Sequence, residues 1–195
     1  NYKMISKLMG INEGDKENGY LNHLSFNPSG NAFLFFFIQD TNAGFNASLL
    51  VYDITNDNLV LLDNNRKVSH YDWLDDKTMI CTGYNKNGQC FYNEYTLDGG
   101  SSTFCGDVLI KDGHPSYIDE NTILTDTYPD NEGYQALMKV CRDGKIEVIA
   151  RLFDVKTVKE EKRTDLHPRY FDNYVCVDSN NRGKREIVIF RVCND

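Results

Sequence analysis

Apolar residues in this chain come in short runs separated by clusters of Asn, Asp and Gly, the pattern of strands joined by tight turns. The longest run, Ala32 to Ile38, is strand length and well short of the roughly 20 apolar residues a membrane-spanning helix needs. Four segments repeat one arrangement. Asn22-His23-Leu24-Ser25-Phe26-Asn27-Pro28-Ser29-Gly30 precedes the run Ala32 to Ile38, and Ser69-His70-Tyr71-Asp72-Trp73-Leu74-Asp75-Asp76 precedes Thr78 to Cys81. Gly113-His114-Pro115-Ser116-Tyr117-Ile118-Asp119-Glu120 precedes Thr122 to Thr125, and Leu166-His167-Pro168-Arg169-Tyr170-Phe171-Asp172-Asn173 precedes Tyr174 to Val177.

The common order is a histidine, two residues, an aromatic, a polar turn and an apolar strand. The histidines lie 47, 44 and 53 residues apart, close to the length of a propeller blade, about 40 to 50 residues. Third strands follow at Ser48–Ile54, Cys90–Leu97, Tyr134–Val140 and Glu186–Val192, and fourth strands at Leu59–Leu62, Asp107–Lys111 and Ile146–Leu152. The pattern therefore predicts an all-β chain, a β-propeller with four blade repeats at about 20–65, 66–111, 112–155 and 163–195. The whole of 1–195 reads as a single propeller domain or a propeller fragment. The fourth repeat lacks an outer strand, and Tyr2 to Met9 reads as a strand with no blade of its own. That strand either closes a four-bladed ring or belongs to a neighbouring blade of a larger, six- to eight-bladed propeller; the second reading is preferred. The charged insert Lys156 to Arg163 reads as a surface loop or short helix.

Composition narrows the function classes. A net charge of −8 with no basic run argues against nucleic acid as a partner, since that needs a basic face. Six cysteines (Cys81, Cys90, Cys105, Cys141, Cys176, Cys193) form no CxxC pair, so a zinc knuckle or redox motif is not expected. Cys81 and Cys90 flank a hairpin turn and can face each other across it, but buried free thiols are the expectation. No signal-peptide pattern opens the chain, and localisation stays open, with the cytoplasm slightly favoured over the periplasm. P-loop, GxGxxG, HExxH and GxSxG motifs are missing from the sequence, which disfavours nucleotide-dependent and serine-hydrolase chemistry.

All four histidines of the chain share one register. In a propeller the first strands line the central channel, so His23, His70, His114 and His167 are expected to converge at its mouth. Imidazole is the commonest metal ligand, and three or four suit a divalent transition metal. The competing reading is a set of blade-fastening histidines, as in the Gly-His pair of WD-type propellers, which Gly113-His114 resembles. The aromatics Phe26, Trp73, Tyr117 and Tyr170 fall on the opposite strand face and are expected to pack between blades. Arg169, Asp126, Tyr128 and Asp178 are the polar candidates beside the histidines.

Gly113-His114-Pro115-Ser116, Thr125-Asp126-Thr127-Tyr128-Pro129-Asp130 and Asp165-Leu166-His167-Pro168-Arg169, together with the two earlier histidine segments, resemble the bacterial Tol-type propellers related to oligogalacturonate lyases. The resemblance runs from about Tyr20 to Val192. It implies a manganese ion held by histidines and a glutamine, with His23, His70, His114 and His167 as ligand candidates; Gln39, Gln89 and Gln135 sit elsewhere in the repeat. It also implies an oligosaccharide or polysaccharide partner, an acidic one if the chain is a lyase. β-Elimination from a uronic acid would use Arg169 beside the carboxylate, a histidine as base, and Tyr128 to protonate the leaving oxygen, with Asp126 as a further catalytic candidate. The alternative is a non-catalytic platform for a glycan or a protein.

Overall fold

A computed structural model describes residues 2–10, 19–41, 44–64, 67–85, 87–108, 110–155 and 164–192. Four antiparallel sheets are arranged as the blades of a β-propeller. The first blade comprises β1 (Gly19–Phe26), β2 (Ala32–Thr41), β3 (Gly44–Asp53) and β4 (Asn58–Asp63). The second comprises β5 (Val68–Trp73), β6 (Thr78–Tyr84), β7 (Cys90–Thr96) and β8 (Ser101–Thr103). The third comprises β9 (Ser116–Asp119), β10 (Thr122–Asp126), β11 (Tyr134–Cys141) and β12 (Ile146–Phe153). The fourth comprises β13 (Arg169–Phe171), β14 (Tyr174–Ser179) and β15 (Glu186–Arg191). Within each sheet, consecutive strands are neighbours, as short hairpin connections require.

Three sequence expectations change. Tyr2–Met9 is an α-helix, α1, and not a strand. Its apolar residues recur at helical spacing: Ile5 and Met9, four apart, both pack on Phe35, Phe37 and Leu50 of the first blade. The outer strand of the second blade is β8, not Asp107–Lys111. The Gly99-Gly100 turn brings the chain straight back to pair with β7, and afterwards Ile110 makes a single bridge to Cys90. Cys81 and Cys90 do not face each other, because Cys81 pairs with Asn93 and Cys90 with Tyr84; both thiols are free and buried. The predicted insert Lys156 to Arg163 and Cys193 lie outside the described residues.

The core is a series of layers between blades. Leu34, Phe36, Leu49 and Val51 of the first blade meet Val68, Met79, Cys81 and Tyr95 of the second. Ile80 and Tyr92 then meet Ile123 and Val140 of the third, and Leu124, Leu137 and Leu152 meet Val175 and Val177 of the fourth. Alternation along each strand sends one set of side chains to the preceding blade and the other to the following one. This buries both faces of the central strands: every residue of β10 is buried, with Ile123 facing one neighbouring blade and Leu124 the other. Trp73, Tyr117 and Tyr170 pack into these layers as expected, whereas Phe26 lies half exposed against Phe33.

Polar ties fasten the blades. Buried Asn27 donates to the Asp76 carbonyl of the next blade at 2.9 Å. Arg142 holds buried Glu94 through two hydrogen bonds, at 2.6 and 2.8 Å, while stacking on Phe104. The Thr82 hydroxyl donates to the Gly113 carbonyl at 2.9 Å. Neighbouring blades meet through β3 and β5, β5 and β9, and β9 and β13. Among the described residues no comparable contact joins the fourth blade to the first.

Candidate functional site at the blade centre

Three of the four histidines have left-handed backbone: φ is 51° at His23, 44° at His70 and 43° at His167. For a non-glycine residue this conformation is uncommon. At His23 and His70 it coincides with a break in pairing register, between Asn22 and Ser25 in β1 and between Ser69 and Tyr71 in β5. A bulge re-aims one side chain out of the strand's alternation. Both histidines therefore lie inside their first strands, whereas His114 and His167 precede theirs. His114 reaches the centre differently. A Cβ on Gly113 would sit 2.1 Å from the Asp126 carbonyl oxygen, so only glycine lets the chain pass this close to the end of β10.

The imidazoles of His70 and His114 have centroids 3.8 Å apart, and those of His114 and His167 are 4.0 Å apart. His114 is the central and most buried ring. Its Nδ1 lies 2.8 and 2.9 Å from the two Asp126 oxygens, and Asp126 also accepts the backbone N–H of His114 at 2.7 Å and of His167 at 3.2 Å. One carboxylate thus ties the third blade to the fourth and fixes the orientation of the central ring. With Nδ1–H donated to Asp126, Nε2 carries the lone pair, and this buried atom has no hydrogen-bond partner. A carboxylate behind a histidine is the arrangement that orients imidazole ligands in metal sites.

The flanking rings are polarised by their surroundings. His70 Nε2 is 3.1 Å from the Tyr128 hydroxyl. Burial, reinforced by the neighbouring His114, pushes the His70 pKa down to about 3. Burial also lowers His167, again with His114 contributing; its Nδ1 donates to the Asp165 carbonyl at 3.0 Å and lies 3.9 Å from Asp178. Burial works to raise the Asp126 carboxyl, but hydrogen bonds from the His114 ring and from two backbone amides outweigh it and hold it below its ordinary value. His70 and His167 are therefore neutral near pH 7, the form in which imidazole binds metals.

His23 stands apart from the trio, with its ring edge-on to Phe36 at 5.8 Å. It still borders the same cleft, a space of about 270 Å³ that His70, His114, His167, Ser25 and Arg169 also line. The structure so gathers His23, His70, His114, His167 and Arg169 around one cleft, with Tyr128 against His70 and Asp126 behind His114. Among the described residues, no three His, Cys, Asp or Glu side chains are already disposed as a metal-ligand set. Gln135, already out of register with the glutamine of the lyase pattern, is buried and donates to the Thr164 carbonyl at 3.1 Å.

Asp72 was missed by the sequence reading. It stands two residues after His70, as Arg169 stands two after His167, and accepts the Tyr117 N–H at 2.9 Å. Burial raises its carboxyl, while the Tyr117 amide and the Arg169 charge oppose that rise. The signal was the shared register: Ser25, Asp72, Ser116 and Arg169 all follow a histidine by two.

Neither a protein-family model nor a curated protein sequence matches this chain. Solved structures do match. An oligogalacturonate lyase in complex with manganese superposes with a TM-score of 0.70 at 17% identity, covering 90% of this chain and 49% of the lyase. TolB from Acinetobacter baumannii matches with a TM-score of 0.59 at 14% identity, covering 98% of this chain and 43% of TolB. The β-propeller domain of the Trilobed protease from Pyrococcus furiosus matches at 0.57 and 11% identity, covering 91% of this chain and 56% of that one. The fold and the site together define a propeller with a histidine-lined centre. More particularly, its fold is that of the TolB and oligogalacturonate lyase propellers, and the chain spans about half the length of these structures.

Proposed function

We propose that this chain carries the ligand-binding centre of a carbohydrate-active propeller, a metal-dependent lyase acting on oligosaccharides that contain uronic acid. One observation carries the reading: three imidazoles in mutual contact, the central one oriented by Asp126 with a bare, buried Nε2. The donors suit a divalent transition metal such as manganese, and His70, His114 and His167 would hold it. When bound, such an ion supplies positive charge that makes the proton beside a uronate carboxylate more acidic. The protein's own groups have distinct parts. Arg169 lines the cleft as a fixed cation and pairs with the carboxylate. His23, outside the trio, accepts the proton. Tyr128 donates its proton to the leaving oxygen as the carbon–oxygen bond breaks and a carbon–carbon double bond forms. Tyr128 then regains a proton from water and His23 releases the one it took, which closes the cycle.

A second reading, a non-catalytic platform for a glycan or a protein, is favoured by two of the same contacts. The Tyr128 and Asp165 hydrogen bonds give His70 and His167 structural partners. Metal content separates the two. Protein stripped with chelator and then exposed to manganese, zinc or iron should bind one equivalent. His114→Ala and His167→Ala should each lose it and, with it, any release of unsaturated uronate from oligogalacturonate. Stable variants from a parent that never retains metal would leave the platform reading.

A further inference from the structure

A groove lies between the second and third blades, beside the histidine cleft. Its origin is the short outer strand of the second blade: β8 has three residues where β12 of the third blade has eight. Tyr134, Ala136, Met138 and Val140 alternate onto the face of β11 that looks toward the second blade. Of these only Val140 is buried in the layer between the two blades, and the other three stay partly exposed. Ile146, paired with Val140 from β12, is 43% exposed. The space so left is about 490 Å³, within the usual range of ligand pockets, roughly 300–1,000 Å³.

Cations border this groove in a chain of net charge −8. Lys111 and Arg151 both line it. Asp130 holds Arg151 at 2.6 Å, over the Tyr134 ring, whereas among the described residues no acidic side chain pairs with Lys111. An apolar floor beside cations suits a sugar acid, whose ring presents C–H faces and whose carboxylate needs a counter-charge. The groove also adjoins the histidine cleft. Lys111 stands three residues before His114 and Tyr128 two after Asp126, so the segments that carry the central ring and its carboxylate also wall the groove. Tyr128 belongs to both places, lining the groove while its hydroxyl reaches His70. We propose that this groove binds the leaving fragment of an oligouronate, the sugars on the non-reducing side of the bond that breaks. The assignment rests on the lyase reading, in which Tyr128 protonates the departing oxygen. In that β-elimination the C5 proton of the reacting uronate goes to the base, its C4–O bond breaks and a C4–C5 double bond forms. The departing oxygen stays on C1 of the preceding sugar, takes the Tyr128 proton and becomes that sugar's new anomeric hydroxyl. This sugar must therefore lie against Tyr128, and the chain behind it continues into the groove.

Titration calorimetry with trigalacturonate on chelator-treated protein tests this, because the groove itself needs no metal. The parent should bind trigalacturonate and ignore maltotriose, a neutral chain of the same length. Lys111→Glu reverses the unpaired cation and Ile146→Asp sets a like charge on the floor, and each should weaken binding about tenfold. Both side chains reach solvent, so the melting temperatures should match the parent. A parent that does not bind, or folded variants that bind as tightly as the parent, would overturn the proposal. Release of unsaturated uronate by the manganese-loaded protein would then keep the lyase reading in place. Equal binding of triglutamate would also overturn it, since the groove would then accept acidic peptides. Binding that depends on Lys111 in a protein that never retains manganese would instead remove the lyase reading, and with it the fragment's role as leaving group.

Discussion

At His70 burial and the neighbouring His114 act in one direction, against the protonated ring. Its folded pKa, about 3, lies below the ordinary 6.5, and His167 shifts the same way. The unfolded chain therefore takes up protons first, and stability falls as pH drops from about 6.5 toward 3. His70 steepens that fall by up to about 1.4 kcal/mol per pH unit. Asp126, held below its ordinary value, adds a further loss once pH falls below the usual carboxylate range. His70→Asn keeps a residue that tolerates left-handed backbone but cannot titrate. Urea unfolding between pH 7 and pH 4 should show a visibly shallower pH dependence for this variant. Identical slopes for parent and variant would mean that His70 is not kept neutral by its surroundings.

The strand leading into each blade does more than pair. In β1 and β5 a bulge with a left-handed histidine interrupts the alternation and turns the imidazole to the centre. In the third blade the same result comes from Gly113, which allows close passage over the end of β10. Gly113→Ala puts a methyl group into the Asp126 carbonyl, so β9 and β10 must separate and the His114–Asp126 contact must stretch. The expected cost is about 2–4 kcal/mol, in the range of backbone displacement at a packed site. A thermal or denaturant melt checks it; a melting temperature within a degree of the parent would show that the approach can relax freely. The repeat of histidine, aromatic and apolar strand was legible because both faces of each blade need apolar side chains. The bulges were not, because a one-residue slip in register leaves no mark in composition.

Among the described residues the packed layers lie between neighbouring blades, so stability is distributed along the series much as in other repeat architectures. β10 has a packed layer on either side, whereas β15 alternates between half-buried and exposed residues at the open flank. Hydrogen exchange should therefore find the amides of β10 the slowest and those of β15 among the first to exchange, since local opening follows the number of layers that must separate. Equal protection in β10 and β15 would contradict this picture. α1 belongs to this scale as well. Its eight residues allow either element on apolar content alone, and only the uncovered flank of the first blade, with Phe35 and Phe37 waiting for a partner, selects the helix.

The sequence by itself determined the blade repeat, the layers of apolar strands and the common register of four histidines, because these follow from period-two alternation and spacing, which are local. The tertiary structure decided which histidines touch. It joined His70, His114 and His167, left His23 at the cleft's edge, set Asp126 behind the central ring and brought Asp72 near Arg169. The histidine contacts and the Asp72–Arg169 approach join residues 40 or more positions apart on different blades, while Asp126 reaches His114 from 12 positions away within the third blade. They depend on how sheets stack around an axis and on left-handed bulges, and neither is written in the order of apolar and polar residues.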